Sequence, residues 1–290
     1  EIVGTGPGRH ESAYRSLLRR CDAVLVVAPE TDGILPRLLE QAESAGIPVL
    51  GSTAAAAAAA GDKAECCRIL ERAGLPVPRT REAHFSEAAE AAARMGFPLV
   101  LKPVDGAGSE GVCVLSRVSE LPGALAALRR STARDAVLMQ SLARGIPASV
   151  SLLASDRDCL PLSLNLQIMD EGNRFCYAGS RVPFDHPARP LAMRAARAAV
   201  LAIPGLRGYV GVDLVLGEDA VQCIEINPRL TTSYIALRRV AKLNLAHSIW
   251  DACMAGKLPD SFPLSGEAVI RKDDPNSWDW DPRAGRHESP

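Results

Sequence analysis

None of the eight cysteines pair at CxxC spacing, and most lie inside apolar runs such as Gly111-Val112-Cys113-Val114-Leu115. That pattern argues against a structural zinc site or a disulfide frame and for reduced thiols in a core. The five histidines are scattered and add no ligand pattern. An excess of one charge is also missing: 33 basic against 34 acidic residues leave a net charge of −1. Nothing therefore drives non-specific binding to nucleic acid or to an anionic membrane surface, and neither is expected as a partner. The longest apolar run, Ala54 to Ala60, is too short to span a bilayer. No basic and apolar leader or lipidation motif is visible, so the expected location is the cytoplasm. The chain opens on Glu1 instead of methionine, and a preceding N-terminal piece is expected.

What is present supports a folded chain. Of 290 residues, 47% are hydrophobic and 23% charged, enough apolar surface for a large core and one to three domains. Residues 23–28 and 47–50 read as short buried strands flanking a helix from Gly33 to Ala45, a parallel strand–helix–strand unit. No G-x-G-x-x-G follows the first strand, which excludes a dinucleotide fingerprint there. Ser52 to Ala60 reads as an alanine-rich connector. Asp62 caps the next helix, with Glu65 three residues on and Gly74 at its end.

Further along, strands and helices come in mixed order. Strands are expected at 97–102, 112–115, 137–139, 149–154, 160–166, 209–216 and 220–226. Helices are expected at 86–95, 119–130, 187–203 and 245–256, and disorder from about Lys272. This order argues for an α+β fold over one doubly wound sheet.

Two features carry chemistry. Lys102 ends the apolar strand Phe97-Pro98-Leu99-Val100-Leu101-Lys102 and precedes Asp105-Gly106-Ala107-Gly108-Ser109-Glu110-Gly111. A half-buried lysine needs an anion, and glycines let backbone N–H groups approach one, which suggests a phosphate clamp. An ordinary Gly-rich hairpin with a snorkelling lysine explains the same residues. The loop lacks the Gly-Lys-Ser/Thr ending of a Walker loop. Lys63 alone reads only as a lysine at a helix N-terminus, where the dipole disfavours it.

The second feature is a hairpin of Tyr209 to Leu216 and Ala220 to Asn227. A turn centred on Asp219 places Asp213 opposite Glu225, with Asn227 on the same face as Glu225. Opposed carboxylates in apolar strands need a cation between them, and three hard oxygens suit Mg²⁺, with Mn²⁺ a workable substitute.

Lys63, then Lys102 before a glycine loop, then Asp213, Glu225 and Asn227 in a hairpin: this order resembles the ATP-grasp superfamily over roughly 50–262. Val137-Leu138-Met139-Gln140-Ser141-Leu142-Ala143-Arg144-Gly145 matches the family's strand, Glu/Gln and glycine pattern. The resemblance implies two subdomains gripping ATP between antiparallel sheets, preceded by a partial N-terminal α/β domain. The implied bounds are 1–58 (N-terminal), 59–141 (small), 142–262 (large) and 263–290 (tail).

The resemblance also implies roles. Lys63 and Lys102 would contact ATP phosphates, and Gly106, Gly108, Ser109 and Gly111 would close over them. Gln140, Ser141 and Leu142 would hold adenine, and Asp213, Glu225 and Asn227 would bind Mg²⁺. Lys102 would also serve the chemistry together with Arg229, which would sit near an acyl phosphate. Pro147 stands where many members carry a ribose-binding glutamate.

The runs Ala28 to Leu35, Gly145 to Leu153, Leu162 to Gln167, Gly205 to Asp213 and Glu225 to Tyr234 are similar to the branch of the family that holds tyramine–glutamate ligases of methanofuran biosynthesis. The implied activity is ATP- and Mg²⁺-dependent amide formation, with glutamate and tyramine as candidate partners. Another amino-acid ligase and a non-catalytic ATP-binding regulator stand as alternatives, and a homodimer is compatible with either. Arg181 reads either as a partner for a substrate carboxylate, which its bidentate fork suits, or as a plain solvated arginine.

Overall fold

The computed structural model describes residues 10–104, 111–132, 134–170, 176–218, 220–272 and 278–281. The first helices are α1 (His10–Leu18), α2 (Ile34–Ser44), α3 (Ala54–Gly61) and α4 (Lys63–Arg72). The strand–helix–strand unit is present in reduced form. Its two strands shrink to one parallel bridge, Val24 to Val49, with Val24 N–H on the Pro48 carbonyl (2.9 Å) and Leu50 N–H on the Val24 carbonyl (2.8 Å). Leu25 and Val27 beside it are exposed, so the ladder is not extended among the described residues.

The alanine tract is more than a connector. Thr53 Oγ1 accepts from Ala56 N–H, and α3 buries Ala56, Ala57 and Ala60. Side chains of one methyl group let this helix pack closely without loss of side-chain entropy. Asp62 caps α4 by accepting from the N–H groups of Ala64 and Glu65. Glu65 does not reach back to complete a capping box; it pairs with Arg68 instead.

The next stretch forms a four-stranded antiparallel sheet from β1 (Thr80–His84), β2 (Leu99–Pro103), β3 (Cys113–Leu115) and β4 (Ala136–Ser141), in the order β1-β4-β2-β3. Helices α5 (Ala88–Met95) and α6 (Leu121–Leu128) cover one face through Ala88, Ala92, Leu121 and Leu128 against Leu99, Leu101, Val137 and Met139. Both helices start later than expected, each behind a 3₁₀ turn, and Ser86 makes no cap for α5. Strand alternation sends Val100, Lys102 and Gln140 to the opposite face.

The larger sheet holds β5 (Ile146–Ala154), β6 (Cys159–Met169), β7 (Tyr177–Val182), β8 (Gly208–Leu216), β9 (Val221–Asn227), β10 (Glu267–Arg271) and β11 (Trp278–Asp281), with α7 (Arg189–Leu201), α8 (Thr232–Val240) and α9 (Leu245–Met254) around it. The order is β11-β10-β7-β6-β5-β8-β9, all antiparallel. One face packs Val150, Leu152, Val210 and Val212 on α3, α4 and α7. The other packs Leu153, Leu162 and Tyr209 on α8 and α9. Two antiparallel sheets packed against helices confirm the α+β class.

The expected tail is corrected in part. β10 pairs with β7, and Trp278–Asp281 adds a further strand where disorder was expected. Ladder hydrogen bonds to an existing sheet edge order a segment whose Asp- and Pro-rich composition does not announce a strand.

Candidate active site

The uncovered face of the small sheet and the upper part of the large one bound a cavity of about 720 Å³. Lys63, Lys102, Gln140, Ser141, Leu142, Asp213, Glu225, Asn227 and Arg229 all line it. Nine residues expected from the sequence to act together are thus brought together. Gly106, Gly108 and Ser109 lie outside the described residues. Gly111, at their edge, has φ +71°, and a Cβ there would come within 2.8 Å of Ser131 Oγ, so only glycine fits this end of the loop.

Asp213 faces Glu225 in the register, as expected, but by a different route. The outer part of the hairpin pairs Leu216 with Val221 and Leu214 with Cys223. Continued inward, that register would set Glu225 against Val212 and turn it to the apolar face. A bulge at Ile224 absorbs one residue and restores Glu225 to the face of Asp213. Asn227 Nδ2 donates to Asp213 Oδ2 at 3.4 Å. The turn residue Asp219 itself lies outside the described residues.

Lys63, in the first turn of α4, is ion-paired with Glu225. Burial would lower its pKa, but the Glu225 carboxylate outweighs that and raises it. Lys102 is buried in β2, and its ammonium is pulled down to about 8 by burial and by the nearby Lys63 charge. Burial, then the Glu225 charge, push Asp213 up to about 7. At Glu225 burial acts upward too, yet Lys63, Lys102 and Arg229 hold the carboxyl down at about 2. The two opposed carboxylates are therefore inequivalent: Glu225 is paired with Lys63, whereas Asp213 makes no ion pair among the described residues and is held by the Gln167 and Asn227 side chains.

Gln140 spends its side-chain amide inside the protein, on Thr80 Oγ1 (2.8 Å) and Cys67 Sγ (3.2 Å). Ser141 N–H donates to the Arg79 carbonyl. These bonds fix the end of β4, after which Leu142 and Ala143 line the cavity. Pro147 lines it as well, and offers no side-chain hydrogen bond where a carboxylate would bind ribose.

Several lining residues had no role in the sequence reading. Ser149, Gln167, Tyr177, Thr231, Thr232 and Ser233 add polar groups to the cavity lining, and the Gln167 side chain hydrogen-bonds Asp213. Behind them Tyr209 OH lies 2.8 Å from Ser151 Oγ and 3.0 Å from Thr231 Oγ1, and Asn165 Nδ2 donates to Ser151 Oγ at 3.0 Å. The signal available was polar residues alternating through apolar strands, as in Ser149-Val150-Ser151. Glu30 was also missed: it holds Arg229 from the N-terminal unit. Arg181 is not part of the site. Its Nη1 lies 3.5 Å from Glu267 Oε1, and alternation sets it on the sheet face opposite Ser180 and Gln167.

Two lysines facing two opposed carboxylates and an amide between two antiparallel sheets is an arrangement for a polyphosphate and a divalent cation. An ATP-grasp domain model matches residues 60–233, and a pre ATP-grasp 3 domain model matches residues 5–57. The chain belongs to the ATP-grasp family. Tyramine–L-glutamate ligase of Methanocaldococcus jannaschii is 30% identical over 233 residues, covering 79% of this chain and 63% of that protein. D-alanine–D-alanine ligase of Desulforudis audaxviator is 32% identical over 221 residues, covering 69% and 68%. This ATP-grasp chain thus spans just under two thirds of the tyramine ligase. A solved ATP-grasp superfamily protein from Archaeoglobus fulgidus superposes with TM-score 0.67 at 29% identity, over 90% of this chain and 73% of that one. Biotin carboxylase from Campylobacter jejuni, solved with an ATP analogue, shares the fold at TM-score 0.76 and 18% identity, over 88% and 59%. Among the described residues no helix is long and apolar enough to cross a membrane.

Proposed function

We propose that the protein is an ATP-dependent carboxylate–amine ligase that joins the γ-carboxyl of glutamate to tyramine. The observation that carries this reading is the convergence of Lys63, Lys102, Asp213, Glu225, Asn227 and Arg229 on one cavity. Relatives named as amide-forming ligases, for tyramine and glutamate and for D-alanine, support it.

Lys63 and Lys102 would bind and neutralise the polyphosphate, with Gly106 to Gly111 closing over it. The hinge of Gln140 to Leu142 would border the adenine. Asp213, Glu225 and Asn227 would hold Mg²⁺, and they fit it: two hard carboxylates with an amide oxygen, the remaining positions left to phosphate oxygens. Among the described residues no cluster of three or more His, Cys, Asp or Glu side chains offers a self-sufficient metal cage. That agrees with a cation shared with the nucleotide. When bound, Mg²⁺ would neutralise charge on the transferring phosphoryl group.

The substrate carboxylate attacks the γ-phosphorus, giving an acyl phosphate and ADP. The amine then attacks the acyl carbon, loses a proton and expels phosphate, leaving the amide. The protein's contribution is positioning and fixed positive charge, with Arg229 beside the acyl group.

The test is mass spectrometry of products, with a coupled ADP assay, after incubation with ATP, Mg²⁺, glutamate and tyramine. γ-Glutamyltyramine is expected. Substrate-dependent ADP with a different acid or amine would place the protein among other amino-acid ligases, a reading the D-alanine ligase relatives also support. Tight ATP binding without ADP release from any pair would overturn the ligase reading.

A further inference from the structure

Arg229 does not stand free in the cavity. Its Nε donates to Glu30 Oε1 at 2.9 Å and its Nη2 to Glu30 Oε2 at 2.9 Å, a bidentate fork. Nη1 donates to the Leu230 carbonyl at 3.3 Å. Of the five N–H bonds of a guanidinium, these contacts leave one on each terminal nitrogen for whatever enters the cavity. Glu30 does not line the cavity, whereas Arg229 does.

Glu30 is itself held. It is 7% exposed, and its methylenes cover Gly61, where a Cβ would stand 3.1 Å from the Glu30 Cβ. Its carbonyl accepts from Gly33 N–H, and Asp32 adopts φ +53°, a left-handed turn conformation that Asp tolerates better than most side chains. That hydrogen bond closes the turn that carries Glu30. It belongs to the N-terminal unit, while Arg229 follows β9 of the large sheet. Gly61, which Glu30 covers, stands one residue before the capping Asp62 that starts the helix of Lys63.

We infer that Glu30 is a positioning residue for the reaction: the N-terminal unit fixes the plane and reach of the Arg229 guanidinium, so that its remaining N–H bonds are presented to the acid substrate. This rests on the ligase reading for its kinetic consequence but not for its structural one. A pair that served only to dock the N-terminal unit would need stability alone. Presentation of a fork to a planar anion also needs the guanidinium angle, which a shorter or neutral partner would not keep.

The experiment compares the parent with Glu30→Gln, Glu30→Asp, Arg229→Lys and the double variant Glu30→Gln/Arg229→Lys, in the full chain. Thermal melts identify any variant that does not fold, in which case the shorter Glu30→Asp carries the test. With glutamate, tyramine and Mg²⁺–ATP, Glu30→Gln is expected to lower kcat or raise the glutamate KM, by about tenfold in their ratio. The KM for ATP should stay within about twofold. Glu30→Asp should recover part of the loss, and the double variant should be no worse than Arg229→Lys, because both act through one group. If Glu30→Gln melts lower yet keeps kcat and the glutamate KM, the pair is structural only and the inference falls. If the parent turns over no acid and amine pair, the ligase reading fails by itself. The inference is then judged by phenylglyoxal labelling of Arg229, read by mass spectrometry. Faster labelling in Glu30→Gln than in the parent supports a guanidinium held by Glu30, and equal labelling overturns it.

Discussion

The two walls of the cavity hold their charged groups by different means: the small sheet contributes Lys102, the large sheet two carboxylates, one of them paired with Lys63. On the basic side, Lys102 is buried in a strand of the small sheet and makes no ion pair among the described residues, and burial lowers its pKa to about 8. On the acidic side, Glu225 is tied to Lys63 and held down at about 2, while Asp213 opposite it rises to about 7. The basic wall thus holds a charge that awaits an anion. The acidic wall holds one satisfied carboxylate and one that awaits a cation. Both are poised for ligands of opposite sign, and this complementarity is what an enzyme binding a metal–polyphosphate needs.

The comparison is broken most strongly at the acidic wall. Asp213→Asn and Glu225→Gln should each cost on the order of 10²-fold or more in turnover, but their stabilities should move in opposite directions. The raised pKa of Asp213 means that ionising it costs stability: the native state holds its proton above the ordinary 3.8, so parental stability falls as pH climbs from about 4 to about 7. Asp213→Asn should therefore melt higher than the parent above pH 7 without metal. The lowered pKa of Glu225 contributes stability that is present above 4.5 and lost only toward pH 2. Glu225→Gln should melt lower at neutral pH, by about 1–3 kcal/mol, since Lys63 loses its partner. Melts and turnover of both variants between pH 5 and 8 test this. Equal shifts of the same sign would show that the two carboxylates are equivalent.

Much of this wall was legible in the sequence, because a hairpin is a local structure. Asp213 and Glu225 are twelve positions apart, and a turn centred on Asp219 with strand alternation sets them opposite each other. The bulge at Ile224 was not legible, since an apolar residue in an apolar strand gives no sign of being unpaired. The helix α8 is not legible because it follows the hairpin after only a few residues, so the run Glu225 to Tyr234 reads as the end of the hairpin. β10 is not legible because Ala268-Val269-Ile270 is short and becomes a strand through its pairing with β7 and β11. Glu30 could not be read at all: its partner lies 199 positions away, and nothing in a lone glutamate announces a tertiary ion pair. Local periodicity predicts elements, whereas long-range pairing is decided by the fold.

The basic wall gives an effect of intermediate size. Lys102→Met should weaken ATP binding by about 1.5–3 kcal/mol, roughly ten- to a hundredfold, through loss of a charge-assisted bond. Because the Lys102 ammonium is protonated below about 8, parental ATP affinity should fall as pH rises through that value. Lys102→Met should lack this step, its affinity already low on both sides. Calorimetric titrations with ATP at pH 7 and pH 9 measure both effects. A parental affinity flat across this range, or a step that persists in the variant, would assign the phosphate contact to another group.

The smallest effect is expected at Arg181, and it sharpens the contrast because this residue belongs to the same large sheet. Leu166 pairs with Arg181 and Gln167 with Ser180, so Arg181 and the cavity-lining Gln167 stand on opposite faces. Its guanidinium is about half exposed and lies 3.5 Å from Glu267, on the neighbouring strand β10. An exposed pair of this kind is worth about 0–1 kcal/mol and is screened by salt. Arg181→Lys should shift stability by less than about 0.5 kcal/mol, and the glutamate KM should not change, since a side chain on the reverse face cannot reach a substrate held at Arg229. Steady-state kinetics beside a urea melt decide it. A glutamate KM raised severalfold with unchanged stability would mean that the acid substrate binds across the sheet edge near β7 and β10, outside the cavity lined by the two charged walls.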